Sequence, residues 1–406
     1  MGLIDKKFAP WVMWAILLAF FISQFILRVS AGVMAGPIMT SFSINATEFG
    51  LMTSFYYLGY ASLQLPLGIF LDRFGPRYIT TACMGICGLG VLIFATATHW
   101  HWALFGRLLI GMGSSGAFIS TSKSIRSWFP EDAFTKIVGF TVTLGLFGAL
   151  NGSRPVAFLM DYMSWQEVLH YLAWFVVLLA LLCFLFVRNP KGFHEDATTS
   201  KSVLDGLKKV FKTRSVVIIG LLGALLVLPL SAFADVWGVP FFVKVYGWSR
   251  QDAATATSFM YFGMCFGSPL LAFLAERYKT HKQLTVLSGF VMGILLAVLL
   301  VMPPLPYKLV LGMMFIVGIF CAYQVLVFSM VTGLTPPRMS GVVIGFTNMI
   351  NMASGFLFLP LVGWLIDFLL SLNPDIGFGY RGALWVMPIT SITGAILLQC
   401  LKLKRY

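Results

Sequence analysis

The chain is expected to fold as an all-α polytopic membrane protein, with twelve transmembrane helices in two pseudo-symmetric six-helix halves. Three observations predict this. Hydrophobic residues fill 59% of the 406 positions and charged residues only 11%, against about 25% charged in soluble domains. A charged, turn-rich knot, Gly68-Ile-Phe-Leu-Asp72-Arg73-Phe-Gly-Pro-Arg77, lies between two long apolar runs, and its three charges are cheap only at a membrane surface. An echo, Leu274-Ala-Glu276-Arg277, places Glu276 204 positions after Asp72, close to half the chain length. A loop repeated at that spacing implies two fused copies of one membrane unit.

Crossing ~30 Å of hydrocarbon takes ~20 residues of helix. Twelve apolar runs qualify, and we number them as spans: 10–38, 48–71, 78–98, 102–128, 135–160, 166–188, 214–245, 251–275, 283–302, 307–332, 340–369 and 381–401. Several exceed the minimum, which implies tilt. Helices satisfy their own backbone at this length and composition, so a barrel is excluded. The segment before span 1 is short and carries Lys6 and Lys7. The run after it is too long for a signal peptide and has no cleavage site. The division expected is 1–188, a six-helix bundle; 189–213, a linker; and 214–406, a second bundle. Within the linker, Val203, Leu204, Leu207, Val210 and Phe211 share one helical face, the pattern of an amphipathic helix on the membrane surface.

The net charge of +13 has its explanation in placement rather than in nucleic-acid binding. With the N-terminus inside, 20 of the 28 Lys and Arg fall in cytoplasmic segments and four near outer ends. That bias fixes both termini in the cytoplasm, and minimal loops suggest a bacterial inner membrane. The six cysteines all lie inside apolar runs, so no structural disulfide is expected. Cys83 and Cys87 share a face but have no His or acid with them, so no metal site and no cofactor are expected.

More than the loop recurs. Ala157-Phe-Leu-Met-Asp161-Tyr162 closes span 5, and Gly363-Trp-Leu-Ile-Asp367-Phe368 closes span 11. Arg28 precedes Gly36-Pro37 in span 1, while Asp235 precedes Gly238 and Pro240 in span 7. Duplicated six-helix halves are a transporter architecture, with the substrate site near mid-depth between them.

The Gly68–Arg77 stretch resembles the Gly-x-x-x-Asp-Arg-x-Gly-x-Arg signature of the major facilitator superfamily, and Arg107-x-x-x-Gly111-x-Gly113 resembles its fourth-span pattern. The stretch from Arg28 through Pro37, Gly50, Ser54, Tyr60, Gln64 and Pro66 to Asp72 is similar to its organic-anion (anion:cation) symporters, as is Ser127-Trp-Phe-Pro130. A weaker likeness is to its lysosomal dipeptide transporters. Span 5 reads Gly148-Ala-Leu-Asn-Gly152-Ser-Arg154-Pro155, which departs from the antiporter signature. Where those symporters carry a Glu in span 4, this chain has Ser114-Ser115. The resemblance implies that spans 1, 4, 7 and 10 line a cavity and that Arg107 takes part in proton coupling.

A charge at the bilayer centre costs about 2.5–3.5 kcal/mol on the mildest scale, so each needs a reason. A guanidinium matches a carboxylate in planar, two-pronged fashion. Arg28, with Arg154, is therefore expected to grip an anionic group. Asp235 is expected to bind a substrate ammonium, pair with Arg28, or carry the coupling proton. Tyr57, Tyr261, Tyr323, Gln324 and Asn348 are candidates to complete the pocket. Asp72, Arg73, Arg77, Glu276 and Arg277 are expected to gate, through contacts that form only while the inner side is shut.

Together these features point to a monomeric secondary active transporter working by alternating access. Its cargo would be a small carboxylate-bearing solute, an organic anion or a zwitterionic amino acid or peptide, moved with a proton. Rivals are a proton-driven exporter of drugs or siderophores and a non-transporting membrane sensor. An enzyme is not expected: no Ser/His pair, metal cluster or nucleotide loop is present.

Overall fold

A computed structural model describes residues 8–189, 210, 213–336 and 339–401. Lys6, Lys7, Arg338, the basic C-terminal residues and, Val210 apart, the linker helix read from 203–211 lie outside the described residues. Among those described, eleven helices are long and apolar enough to cross a membrane. Span 2, Ala46–Gln64, is too polar to be among them; its 19 residues include Glu48, Tyr56, Tyr57 and Tyr60. It completes twelve because every other apolar run is accounted for.

The spans are helical but many are broken where the sequence dictates. Span 1 runs Ala9–Val33 and resumes at Ala35–Phe42. Span 4 breaks at Ser115, span 10 at Ala322 and span 12 at Trp385. Span 7 is the most irregular: Arg214–Leu226, a π-helical segment Pro229–Trp237, then Gly238–Tyr246. Pro229 lacks an N–H and its ring crowds the preceding turn, which explains why the helix widens there.

The charged knot between spans 2 and 3 is tighter than a loop. Helix continues from Pro66 to Thr96 except at Gly75, whose φ of +78° makes the reversal on one residue. The conformation demands glycine here; a Cβ would in addition displace the Asn189 side chain, 2.5 Å away.

The internal repeat is structural. Gly59 and Gly111 bring the backbones of spans 2 and 4 into contact, at Met112 and Tyr56 respectively; Gly263 and Gly318 do the same for spans 8 and 10, at Ile319 and Met260. A Cβ on Gly111 would overlap the Tyr56 carbonyl oxygen, a backbone atom that cannot step aside. Gly111→Val is expected to cost at least the ~1–3 kcal/mol of an overpacked core. The check is a lower melting temperature and less monodisperse protein in detergent; an unchanged melting temperature would refute the close-approach argument.

The halves meet along two seams. Spans 2 and 11 touch backbone to backbone, with Gly50 against Pro360 and Gly363 against Thr47. Spans 5 and 8 form the other seam. At the face opposite the termini, the Asp367 carboxylate accepts the N–H groups of Ala46 (3.1 Å) and Thr47 (2.7 Å) and the Thr47 hydroxyl (2.5 Å). On the second seam Gln251 Nε2 donates to Asp161 Oδ2 at 2.5 Å. The two aspartates of the sequence repeat thus both fasten one half to the other.

Candidate functional site: a buried charge cluster between the halves

Spans 1 and 7 cross where Gly32 lies against Val236; a Cβ on Gly32 would be 2.8 Å from the Val236 carbonyl oxygen. One turn before Gly32 on span 1 stands Arg28, and on the π-helical stretch of span 7 stands Asp235. Arg28 Nε donates to Asp235 Oδ2 at 2.7 Å. Tyr57 of span 2 and Tyr261 of span 8 both donate their hydroxyls to the same carboxylate. The Arg28 guanidinium also lies over the Tyr57 ring, 5.4 Å from its centroid. Three side chains, two from the first half and one from the second, converge on one acid of span 7. Arg28 is 7% exposed, Asp235 1%, and both tyrosines 0%, so a solute must part these groups to reach them.

Arg107 of span 4 is the second buried guanidinium. Its Nη1 donates to the Leu27 carbonyl at 2.9 Å, and its Cζ lies 5.0 Å from the Tyr56 ring centroid. Tyr56 in turn donates to Gln24 Oε1 at 3.0 Å. Arg107 Nε and Nη2, and Arg28 Nη2, are buried with no hydrogen-bond partner. Among the described buried residues, Arg28 and Arg107 face a single carboxylate, Asp235. The cluster carries a net positive charge and three unsatisfied charged donors.

The other candidates divide. Asn348 meets the Tyr60 hydroxyl across the halves. Tyr323 is buried, with its hydroxyl donating to the Gly223 carbonyl at 2.8 Å, and Gln324 is half-buried beside it. Arg154 does not join Arg28: it is exposed on span 5, toward Tyr307 on the other half. A helix turns 100° per residue, and depth along a span says nothing about azimuth.

The gate residues also sit differently from the expectation. Asp72 pairs with Lys123 of span 4, not with Arg73 or Arg77. Arg77 Nε donates to the Phe184 carbonyl at 3.0 Å, and its backbone N–H donates to Asn189 Oδ1 at 3.1 Å. Arg73 lies over Phe74. Glu276 and Arg277 are exposed and form no ion pair among the described residues. Each of these contacts stays within one half. Among the described residues, the polar links between the halves lie at mid-depth and at the face opposite the termini.

A model of the Major Facilitator Superfamily matches residues 16–359. The chain belongs to this family. It is 30% identical over 199 residues to the chloramphenicol resistance protein CraA of Acinetobacter baumannii, a match covering 48% of this chain and 45% of that one. To the hexuronate transporter of Bacillus subtilis it is 26% identical over 181 residues, 43% of this chain and 42% of that one. The matched stretch therefore spans less than half the length of these relatives. In fold, it is similar to an inward-facing, unoccupied bacterial homolog of the human lysosomal transporter Spinster, with a TM-score of 0.74 at 17% identity over 98% of this chain and 96% of that one. The chain is thus a multi-pass integral membrane protein of the major facilitator fold, and its relatives bear the names of transporters and of a drug-resistance protein, not of enzymes.

Proposed function

We propose that this protein carries a small organic anion across the membrane by alternating access, with Arg28 and Arg107 as the anion-binding groups. The observation that carries the reading is the set of three buried guanidinium nitrogens without hydrogen-bond partners, in a cluster whose cations outnumber its acid. Leaving a charged donor buried and unsatisfied is costly, and an incoming carboxylate satisfies it. The hexuronate transporter among the relatives moves such a solute and supports the reading. Asp235 takes the coupling proton. The solute carboxylate competes with Asp235 for Arg28, which frees Asp235 to serve as the proton carrier. The excess of basic residues on one set of loops supports termini in the cytoplasm of a bacterial cell.

A second reading, export of an apolar drug, draws on the similarity to a chloramphenicol resistance protein. The two separate in one experiment. Purified protein is screened for thermal stabilisation by organic acids, amino acids, dipeptides, sugars and chloramphenicol, and the screen is repeated with Arg28→Ala. Stabilisation by acids that vanishes in the variant is expected. Stabilisation by neutral compounds, equal in both proteins, would end the anion reading.

A further inference from the structure

Span 11 holds a second group of buried polar atoms that nothing above uses. Thr347 is 0% exposed and Asn351 1%. The Thr347 hydroxyl and both polar atoms of the Asn351 amide have no hydrogen-bond partner. Thr80, Ser120, Ser124 and Ser391 also have buried hydroxyls without a partner, but among the described residues Asn351 is the buried side-chain amide with both donor and acceptor unmet. Other buried hydroxyls in the spans, among them Thr121, Thr141, Ser153, Thr285, Ser288 and Ser354, bond back to carbonyls of their own helices. Thr347 does not, and Asn351 cannot be explained as a cap, being mid-helix.

Thr347, Asn351 and Gly355 repeat every four residues, so they form one stripe with a rise of about 6 Å per step. At its upper end the stripe meets the charge cluster: a Cβ on Gly355 would be 2.6 Å from Tyr57 Cδ1, and the Tyr57 hydroxyl reaches Asp235. On span 7, facing the stripe, are two residues without side chains. A Cβ on Gly223 would lie 3.4 Å from Asn351 Oδ1, and one on Gly220 3.9 Å from Thr347 Cγ2. Next to them the Tyr323 hydroxyl holds the Gly223 carbonyl.

We propose that Thr347 and Asn351 form an uncharged subsite that binds hydroxyl groups on the body of the solute whose carboxylate is held at Arg28. This rests on the anion reading above and extends it to a substrate class, hydroxylated acids. The chemistry selects the occupant. The Asn351 amide offers N–H donors and a carbonyl acceptor side by side, and Thr347 offers one of each. A carboxylate would leave the acceptors unmet, and an ammonium would leave the donors unmet. A hydroxyl donates and accepts at once, so neighbouring hydroxyls satisfy the whole group. The alternative occupant is an ordered water that takes no part in recognition.

The test compares gluconate with hexanoate, acids of one charge and one chain length that differ in hydroxyls. Dissociation constants are measured by calorimetry on the full purified chain, native and with Asn351→Leu or Thr347→Val. The expected result is a loss of roughly tenfold or more in gluconate affinity for each variant, with hexanoate affinity unchanged. Thr347→Val keeps the side-chain volume and serves if Asn351→Leu fails to fold. Gluconate affinity unchanged in a folded variant, or falling equally with that of hexanoate, overturns the subsite and leaves a structural water or packing in its place. So does native protein that binds hexanoate and not gluconate. If neither acid binds the native chain, the anion reading itself fails and takes the subsite with it.

Discussion

Replacing Asp235 by Asn is expected to lower the melting temperature of the ligand-free protein and, at the same time, to tighten its hold on a carboxylate. The two effects have one cause. Asp235 is the counter-charge of the buried Arg28 and accepts from two tyrosines besides. An amide keeps one acceptor oxygen where the carboxylate offers two, Oδ2 to Tyr57 and Oδ1 to Tyr261, and it keeps none of the charge. Removing one partner of a buried ion pair costs about 3–5 kcal/mol, because the other charge is left without compensation. In the ligand-bound protein that cost falls away, since the solute carboxylate now supplies the negative charge. The difference appears as affinity, and every 1.4 kcal/mol is tenfold. We expect binding at least roughly tenfold tighter and a larger ligand-induced rise in melting temperature.

Transport should move in the opposite direction. Without the Asp235 carboxylate, exchange of labelled for unlabelled solute across proteoliposomes persists, while uphill accumulation driven by a pH gradient disappears. Weaker solute binding with an unchanged melting temperature would sink the proposal, because it would mean that Asp235 touches the solute rather than standing in its place. Retained accumulation would remove Asp235 from proton coupling.

The sequence exposes the features that depend on depth and spacing, and conceals those that depend on direction around a helix. Apolar run lengths locate the spans, and the matched positions of Arg28 and Asp235 in the two repeats announce that they sit opposite one another. Gly75 is legible as a turn because charges and a proline crowd around it. Arg154 misleads because its depth resembles that of Arg28 while its side chain points elsewhere. That Tyr57 and Tyr261, rather than neighbouring aromatics, reach Asp235 cannot be read from spans that are apolar on every face. The π-helical register of span 7 is hidden for a related reason: Pro229 marks an irregularity without saying which way the following residues turn. Asp161 and Asp367 were visible as a repeat, yet their partners lie on the opposite half, and only the packed molecule shows that.

Those two aspartates carry the second large expectation, that Asp367→Ala opens the face opposite the termini. The Asp367 carboxylate caps the start of span 2 from the other half, taking two backbone N–H groups and the Thr47 hydroxyl. A carboxylate at a helix N-terminus contributes about 0.3–1 kcal/mol where solvent reaches it, and up to ~2 where it is partly buried. Half-burial of Asp367 places its loss at ~1–2 kcal/mol, a shift of roughly 5- to 30-fold in the ratio of closed to open molecules. Spin labels on Thr40 and Asn373, exposed residues on this face in opposite halves, report it as a new, longer distance in ligand-free protein. Asp72→Asn is the contrasting variant. Its partner Lys123 belongs to the same half, so this substitution should leave the Thr40–Asn373 distance and the solute affinity intact while slowing turnover through the terminal face. Lengthening in both variants alike would show that loss of any interhelical carboxylate loosens the fold, and the assignment of Asp367 as a fastening between halves would fall.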